Sequence, residues 1–106
     1  MSITINISHN ILPILREFDG LWKKYCNAYI DLHKIQEYSD IIFKIRNKET
    51  DFTDEKETFI NFINDIEMTI YFCKNYNEIY DDTNIAYGND RELICCRKIK
   101  KYLQSL

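Results

Sequence analysis

The stretch DEKETFINFINDIEMTIYFCKNYNEIY, residues 54–80, decides the fold. Within it Phe59, Ile63, Ile66, Ile70, Cys73, Asn77 and Tyr80 recur at alternating steps of four and three residues. Such spacing keeps one stripe of a helix turned toward neighbouring helices, as in a bundle. Thr53 stands where a side-chain oxygen can satisfy the unpaired N–H groups of a first turn. Asp54, Glu55 and Glu57 follow where the positive end of the helix dipole favours anions. The spacing therefore predicts a helix over 54–80 with one face in a core.

Toward the N-terminus a second helix is predicted over 11–34. Leu15, Phe18, Trp22, Tyr25, Cys26, Tyr29, Leu32 and His33 fall at three- and four-residue steps, with Arg16, Glu17, Lys23, Lys24, Asn27, Asp31 and Lys34 on the other side. Asn10 is placed to cap it, with Pro13 still in the first turn, where its missing N–H is harmless. Ahead of it Ile3, Ile5 and Ile7 alternate with polar residues, which predicts a short extended arm packed on the bundle. After His33 the stripe changes side: on a continuous helix Ile35, Tyr38, Ile42 and Ile45 would point nearly opposite to Trp22. A bend or break near residues 34–39, with helix resuming over 39–46, accounts for the switch.

Toward the C-terminus Asn89, followed three residues later by Glu92, resembles a capping box and predicts a last helix over 90–105. Leu93, Cys96, Ile99, Leu103 and Leu106 form its stripe, and Arg97, Lys98, Lys100 and Lys101 lie toward its negative end. Two glycines and one proline in 106 residues leave little turn chemistry for an all-β domain. A hydrophobic fraction of 45% is enough for a core and too much for a disordered chain. The expected fold is thus all-α, a single domain over 1–106 built as a small bundle of three to four helices.

Several chemistries lack their residues. Gly20 and Gly88 are too far apart for a phosphate-binding glycine loop. The four cysteines and two histidines show neither C-x₂₋₄-C nor H-x₃₋₅-H spacing, so no zinc site is expected. Asp81-Asp82-Thr83-Asn84 offers oxygen ligands without the glycine and closing glutamate of a calcium loop. His33 reads as a core histidine, and Cys26, Cys73, Cys95 and Cys96 as free, partly buried thiols. No run approaches the ~18 apolar residues of a membrane span, and Met1-Ser2-Ile3-Thr4-Ile5-Asn6 has no signal-peptide character. A cytoplasmic non-enzyme without cofactor or metal is expected.

Charge and a second apolar face remain. Residues 51–90 hold ten acidic side chains against Lys56 and Lys74, a net of −8, whereas 91–106 hold five basic against one acidic. The acidic run would repel nucleic acid and attract a basic protein surface. Opposite the core seam of residues 54–80 stand Met68, Phe72 and Ile79, with Tyr71 and Asn75 beside them and Asp65, Glu78 and Asp82 nearby. A helix apolar on two faces is either sandwiched in its own bundle or offers one face to a partner. With Asp81 and Tyr87 of the following loop, these ten residues are the candidate partner-binding set, since tyrosine and apolar anchors inside a charged rim are what tight interfaces use.

An acidic helix, abundant tyrosine, a very small helical domain and a codon-bias-like excess of Ile, Asn, Lys and Tyr with no valine together resemble bacterial toxin-immunity proteins, especially those of contact-dependent growth inhibition systems. The resemblance implies a protein that binds a cognate toxin, often a basic nuclease domain, and covers its active site; a monomer or weak dimer is expected. The acid-and-tyrosine surface would then stand in for nucleic-acid phosphates. Two other readings fit the same features: a phage or viral effector that blocks a host nucleic-acid enzyme, and a structural oligomer in which the 35–45 stripe and the Met68–Ile79 stripe meet between subunits.

Overall fold

The computed structural model describes the backbone over residues 2–29, 32–74 and 90–106, and the side chains over 11–25, 35–74 and 90–106. Every regular element among them is a helix: α1 (Ser2–Tyr29), α2 (Leu32–Glu37), α3 (Ser39–Arg46), α4 (Lys56–Cys73) and α5 (Arg91–Gln104). The protein is an all-α bundle. No helix among the described residues is long and apolar enough to cross a membrane.

The extended N-terminal arm is not there; residues 2–10 are the opening turns of α1. Ile3 and Ile7 alternate with polar residues, yet they also stand four residues apart and lead on at the same step to Ile11 and Leu15. A lone strand would leave its backbone N–H and C=O groups without partners, whereas a helix satisfies them locally. Asn10 therefore lies inside α1 rather than ahead of it, and Pro13 lies in the helix interior on its exposed side, where it removes one intrahelical hydrogen bond.

The break near 34–39 is present at Tyr38. Its N–H bonds to the Ile35 carbonyl at 3.1 Å, a tightened turn, and its own carbonyl accepts the first bond of α3 from Ile42 at 3.0 Å. The turn re-aims the chain so that Tyr38, Ile41, Ile42 and Ile45 are all buried, as the change of stripe requires. At the end of α3 the Lys48 N–H bonds to Ile45 O at 3.1 Å and the Glu49 N–H to Lys44 O at 3.0 Å. This is a Schellman closure, with Lys48 at φ 60° in the left-handed position.

Two helix starts differ from expectation. Helix α4 begins at Lys56 with Glu55 in the cap position and no side-chain cap. Thr53 instead donates to Asp51, through its N–H at 3.0 Å and its hydroxyl at 2.6 Å, so both residues are used in the turn ahead of the helix. Helix α5 is capped by Asp90 rather than Asn89: the Asp90 carboxylate accepts the N–H groups of Glu92 at 2.9 Å and Leu93 at 3.2 Å. A carboxylate facing these two donors also gains from the dipole.

The predicted seam of α4 is in the core as far as Ile70, with Phe59, Ile63, Ile66 and Ile70 fully buried. Cys73, the next seam position, is exposed. Helices α4 and α5 run antiparallel, Lys74 meeting Asp90 and Glu67 meeting Lys100. The last turn of α4 is therefore level with the first residues of α5 and gains no further cover from it. The rest of the predicted seam, Asn77 and Tyr80, lies outside the described residues. On α5, Leu93, Cys96, Ile99 and Leu103 are fully buried, while Leu106, two residues past the helix, is exposed.

Aromatic rings tie the bundle together. Phe18 of α1 meets Phe62 of α4 edge-on at 5.1 Å and Phe59 at 5.7 Å. Tyr38 stacks on Phe62 at 4.2 Å, and Phe52 packs edge-on against Phe59 at 4.9 Å. Such offset and T-shaped pairs add about 1 kcal/mol each beyond area burial. Helix α1 thus packs on α3, α4 and α5, and the Tyr102 hydroxyl donates to the Thr50 carbonyl at 2.6 Å, holding the loop before α4 against the end of α5.

Candidate protein-binding face

Burying Phe59, Ile63, Ile66 and Ile70 turns the other side of α4 outward. Met68 is 49% exposed and Phe72, one turn on, 69%. Residues four apart on a helix are surface neighbours, so the two side chains form one apolar ridge. Of the ten residues predicted to bind a partner, these two are presented on the surface. Tyr71 is buried at 8% exposure and belongs to the core. Asp65 is half-buried and its carboxylate accepts the Tyr38 hydroxyl at 2.5 Å, a bond that crosses from α4 to the α2–α3 turn. Asn75, Glu78, Ile79, Asp81, Asp82 and Tyr87 lie outside the described residues.

The acid of residues 51–90 is largely turned to internal use where it is described. Glu55 pairs with Lys44, with one contact at 3.0 Å. Glu67, buried at 7% exposure, pairs with Lys100 at 2.5 Å, and Asn64 accepts from the same ammonium at 3.1 Å. Asp51 is held below the usual carboxylate range by its two hydrogen bonds from Thr53. Asp54 and Glu57 remain exposed at the start of α4. A net of −8 in the sequence is therefore a much smaller field on the described surface.

The densest polar cluster among the described residues was not legible in the sequence. Lys74 lies 2.6 Å from Asp90 and 3.0 Å from Glu92; Lys24 lies 2.8 Å from Glu92, and the Tyr25 hydroxyl donates to the same carboxylate. Burial raises the Glu92 carboxyl, but hydrogen bonds from Lys24, Tyr25 and Lys74 outweigh it and hold the group below its ordinary value. Burial works against the Lys74 ammonium, and the bonds to Asp90 and Glu92 more than compensate, so its affinity for the proton is raised. Burial and the bond to Glu92 push the Tyr25 phenol up. The cluster joins the ends of α1, α4 and α5. Lys74 is one of just two lysines in an acid-rich stretch of forty residues, the only hint the sequence offered.

The stripe over 35–45 is spent inside the chain. Of its members Tyr38, Ile42 and Ile45 are buried, as is Ile41 beside them, and Ile35 is half-buried. The outward apolar member of α3 is Phe43, 66% exposed, a residue that periodicity had not singled out. Cys95 and Cys96 are buried thiols, and burial pushes Cys95 up to about 12. Compared with known proteins, the chain matches no family model, and no curated protein or solved structure matches it significantly.

Proposed function

We propose that the chain is a small protein-binding inhibitor of the immunity type, which neutralises a cognate basic nuclease-type toxin by covering its active site. The observation that carries this reading is the exposed Met68–Phe72 ridge on a helix whose opposite face is fully buried. Large apolar side chains held outward by a rigid helix suit the anchors of an interface, where a few residues supply most of the affinity. The sequence that continues from the ridge carries Glu78, Asp81 and Asp82, a charged rim of the sign that a basic partner needs. A standard interface of roughly 800 Å² per partner would need the ridge, the rim and neighbouring side chains together.

The division of labour between ridge and rim is testable. Rim charges act on association and salt dependence, so Glu78→Lys, Asp81→Lys and Asp82→Lys together should slow association with the toxin encoded beside this chain's gene by about tenfold at low salt. The same variant should lose protection of cells that express that toxin. Unchanged association and salt dependence would remove the acidic rim from the account.

A further inference from the structure

Leu12, Arg16 and Asp19 of α1 face Ile45, Arg46 and Lys48 at the end of α3 across an open groove of about 360 Å³. That is the size of a small-molecule site. Ile45 is buried and Leu12 half-buried, which gives the groove an apolar floor, while Arg16, Arg46 and Lys48 are exposed on its walls. Asp19, the one carboxylate among the described lining residues, is shared. It accepts the Trp22 indole N–H at 2.7 Å and lies 3.4 Å from Lys23 and 3.5 Å from Arg46. Three cations against one shared carboxylate make this groove electropositive on a chain whose net charge is −3.

Two of the cations are placed with some care. The Arg46 guanidinium stands over the Trp22 ring, 5.6 Å from its centroid. Its 3.5 Å contact with Asp19 is longer than the 2.7–2.9 Å of a charge-assisted hydrogen bond, which leaves it open to a better acceptor. Lys48 occupies the left-handed position that closes α3, at φ 60°, and among the described residues no other non-glycine has a positive φ. Glycine or asparagine is the usual choice there, because a β-carbon is strained in that region. Strain at a residue that lines a cationic groove points to a use for its side chain.

We propose that this groove binds a small organic phosphate monoester, with the phosphate among Arg16, Arg46 and Lys48 and its apolar body against Leu12 and Ile45. A phosphate monoester carries between about −1.5 and −2 charges at pH 7, which matches the excess of two in the lining, whereas a carboxylate supplies one. The planar arginine forks suit its oxygens in bidentate fashion. This site is independent of the Met68–Phe72 ridge and of the inhibitor reading.

The test is an NMR titration of the intact protein with phenyl phosphate, beside inorganic phosphate and benzoate. The expected result is saturable shifts around Arg16 and Lys48, with affinity for phenyl phosphate about tenfold above either comparator. Lys48→Gly should weaken phenyl phosphate about tenfold while raising the thermal midpoint by about 4 °C, because it removes a phosphate contact and the backbone strain together. A lysine with only a structural role would not give that pair of signs. The proposal is overturned if phenyl phosphate gives no saturable shift, if inorganic phosphate or benzoate binds as tightly, or if Lys48→Gly keeps wild-type affinity.

Discussion

Single residues join the helices of this chain at their ends, and Glu92 does most of it. Its carboxylate takes Lys24 at 2.8 Å and Lys74 at 3.0 Å, together with the Tyr25 hydroxyl, and so ties α1, α4 and α5 at one point. Because its carboxyl is held below the ordinary value, its contribution is fully present above the usual carboxylate range and is lost as pH falls through its folded value. Glu92→Gln should therefore lower the thermal midpoint at neutral pH, and the gap to wild type should close as the pH drops below about 4.5. Midpoints followed from pH 7 downward by circular dichroism give the answer, and a gap that stays constant would mean the ion cluster is not what Glu92 contributes. None of this was readable from spacing. Lys24 and Glu92 are 68 positions apart, and which of the many charges meet is settled only by the packing of the helices that carry them.

At the scale of elements the sequence was far more legible, because helical period and burial are one fact seen twice. The four-and-three stepping of Phe59, Ile63, Ile66 and Ile70 predicted a core face, and all four are fully buried. The side switch after His33 predicted a break, and Tyr38 supplies it without glycine or proline. Boundaries were less legible. Three isoleucines at two-residue spacing look like a strand until their four-residue spacing to Ile11 is given equal weight. Caps slipped by one position or more, since Asp51, Thr53, Asn89 and Asp90 all carry side chains able to cap and only local geometry selects among them. Gly20, inside α1 and exposed, has nothing beyond its chain neighbours and its own helix backbone within 4 Å of where a β-carbon would stand. A glycine there costs backbone entropy with no steric return. Gly20→Ala should raise stability by about 1 kcal/mol in denaturant melts, and a loss of stability would mean that α1 does not run straight through this position.

For the whole molecule, Phe18, Trp22 and Tyr38 converge on Phe62 inside a largely aliphatic core, and around it most of the described charged groups are satisfied within the chain. This changes how the acidic composition bears on function. A net of −8 over residues 51–90 suggests an acidic surface, yet Glu55, Glu67, Asp65 and Asp90 are each held by a partner from another part of the chain. The fold left apolar side chains outward instead: Met68, Phe72 and Phe43. Composition could not separate charge that faces solvent from charge that holds helices together; periodicity set Met68 and Phe72 opposite the seam, where both are exposed, but could not show that Tyr71 is buried and Asp65 engaged by Tyr38. In the proposed inhibitor the Met68–Phe72 ridge anchors the partner, and the remaining acid guides encounter. The most direct test is the dissociation constant for the cognate toxin domain of wild type beside the double variant Met68→Asp, Phe72→Asp. Both side chains are exposed, so the variant should keep the wild-type thermal midpoint within a few degrees. Its affinity should fall at least about thirtyfold, as expected for losing two interface anchors. A variant that binds as tightly as wild type would contradict the account.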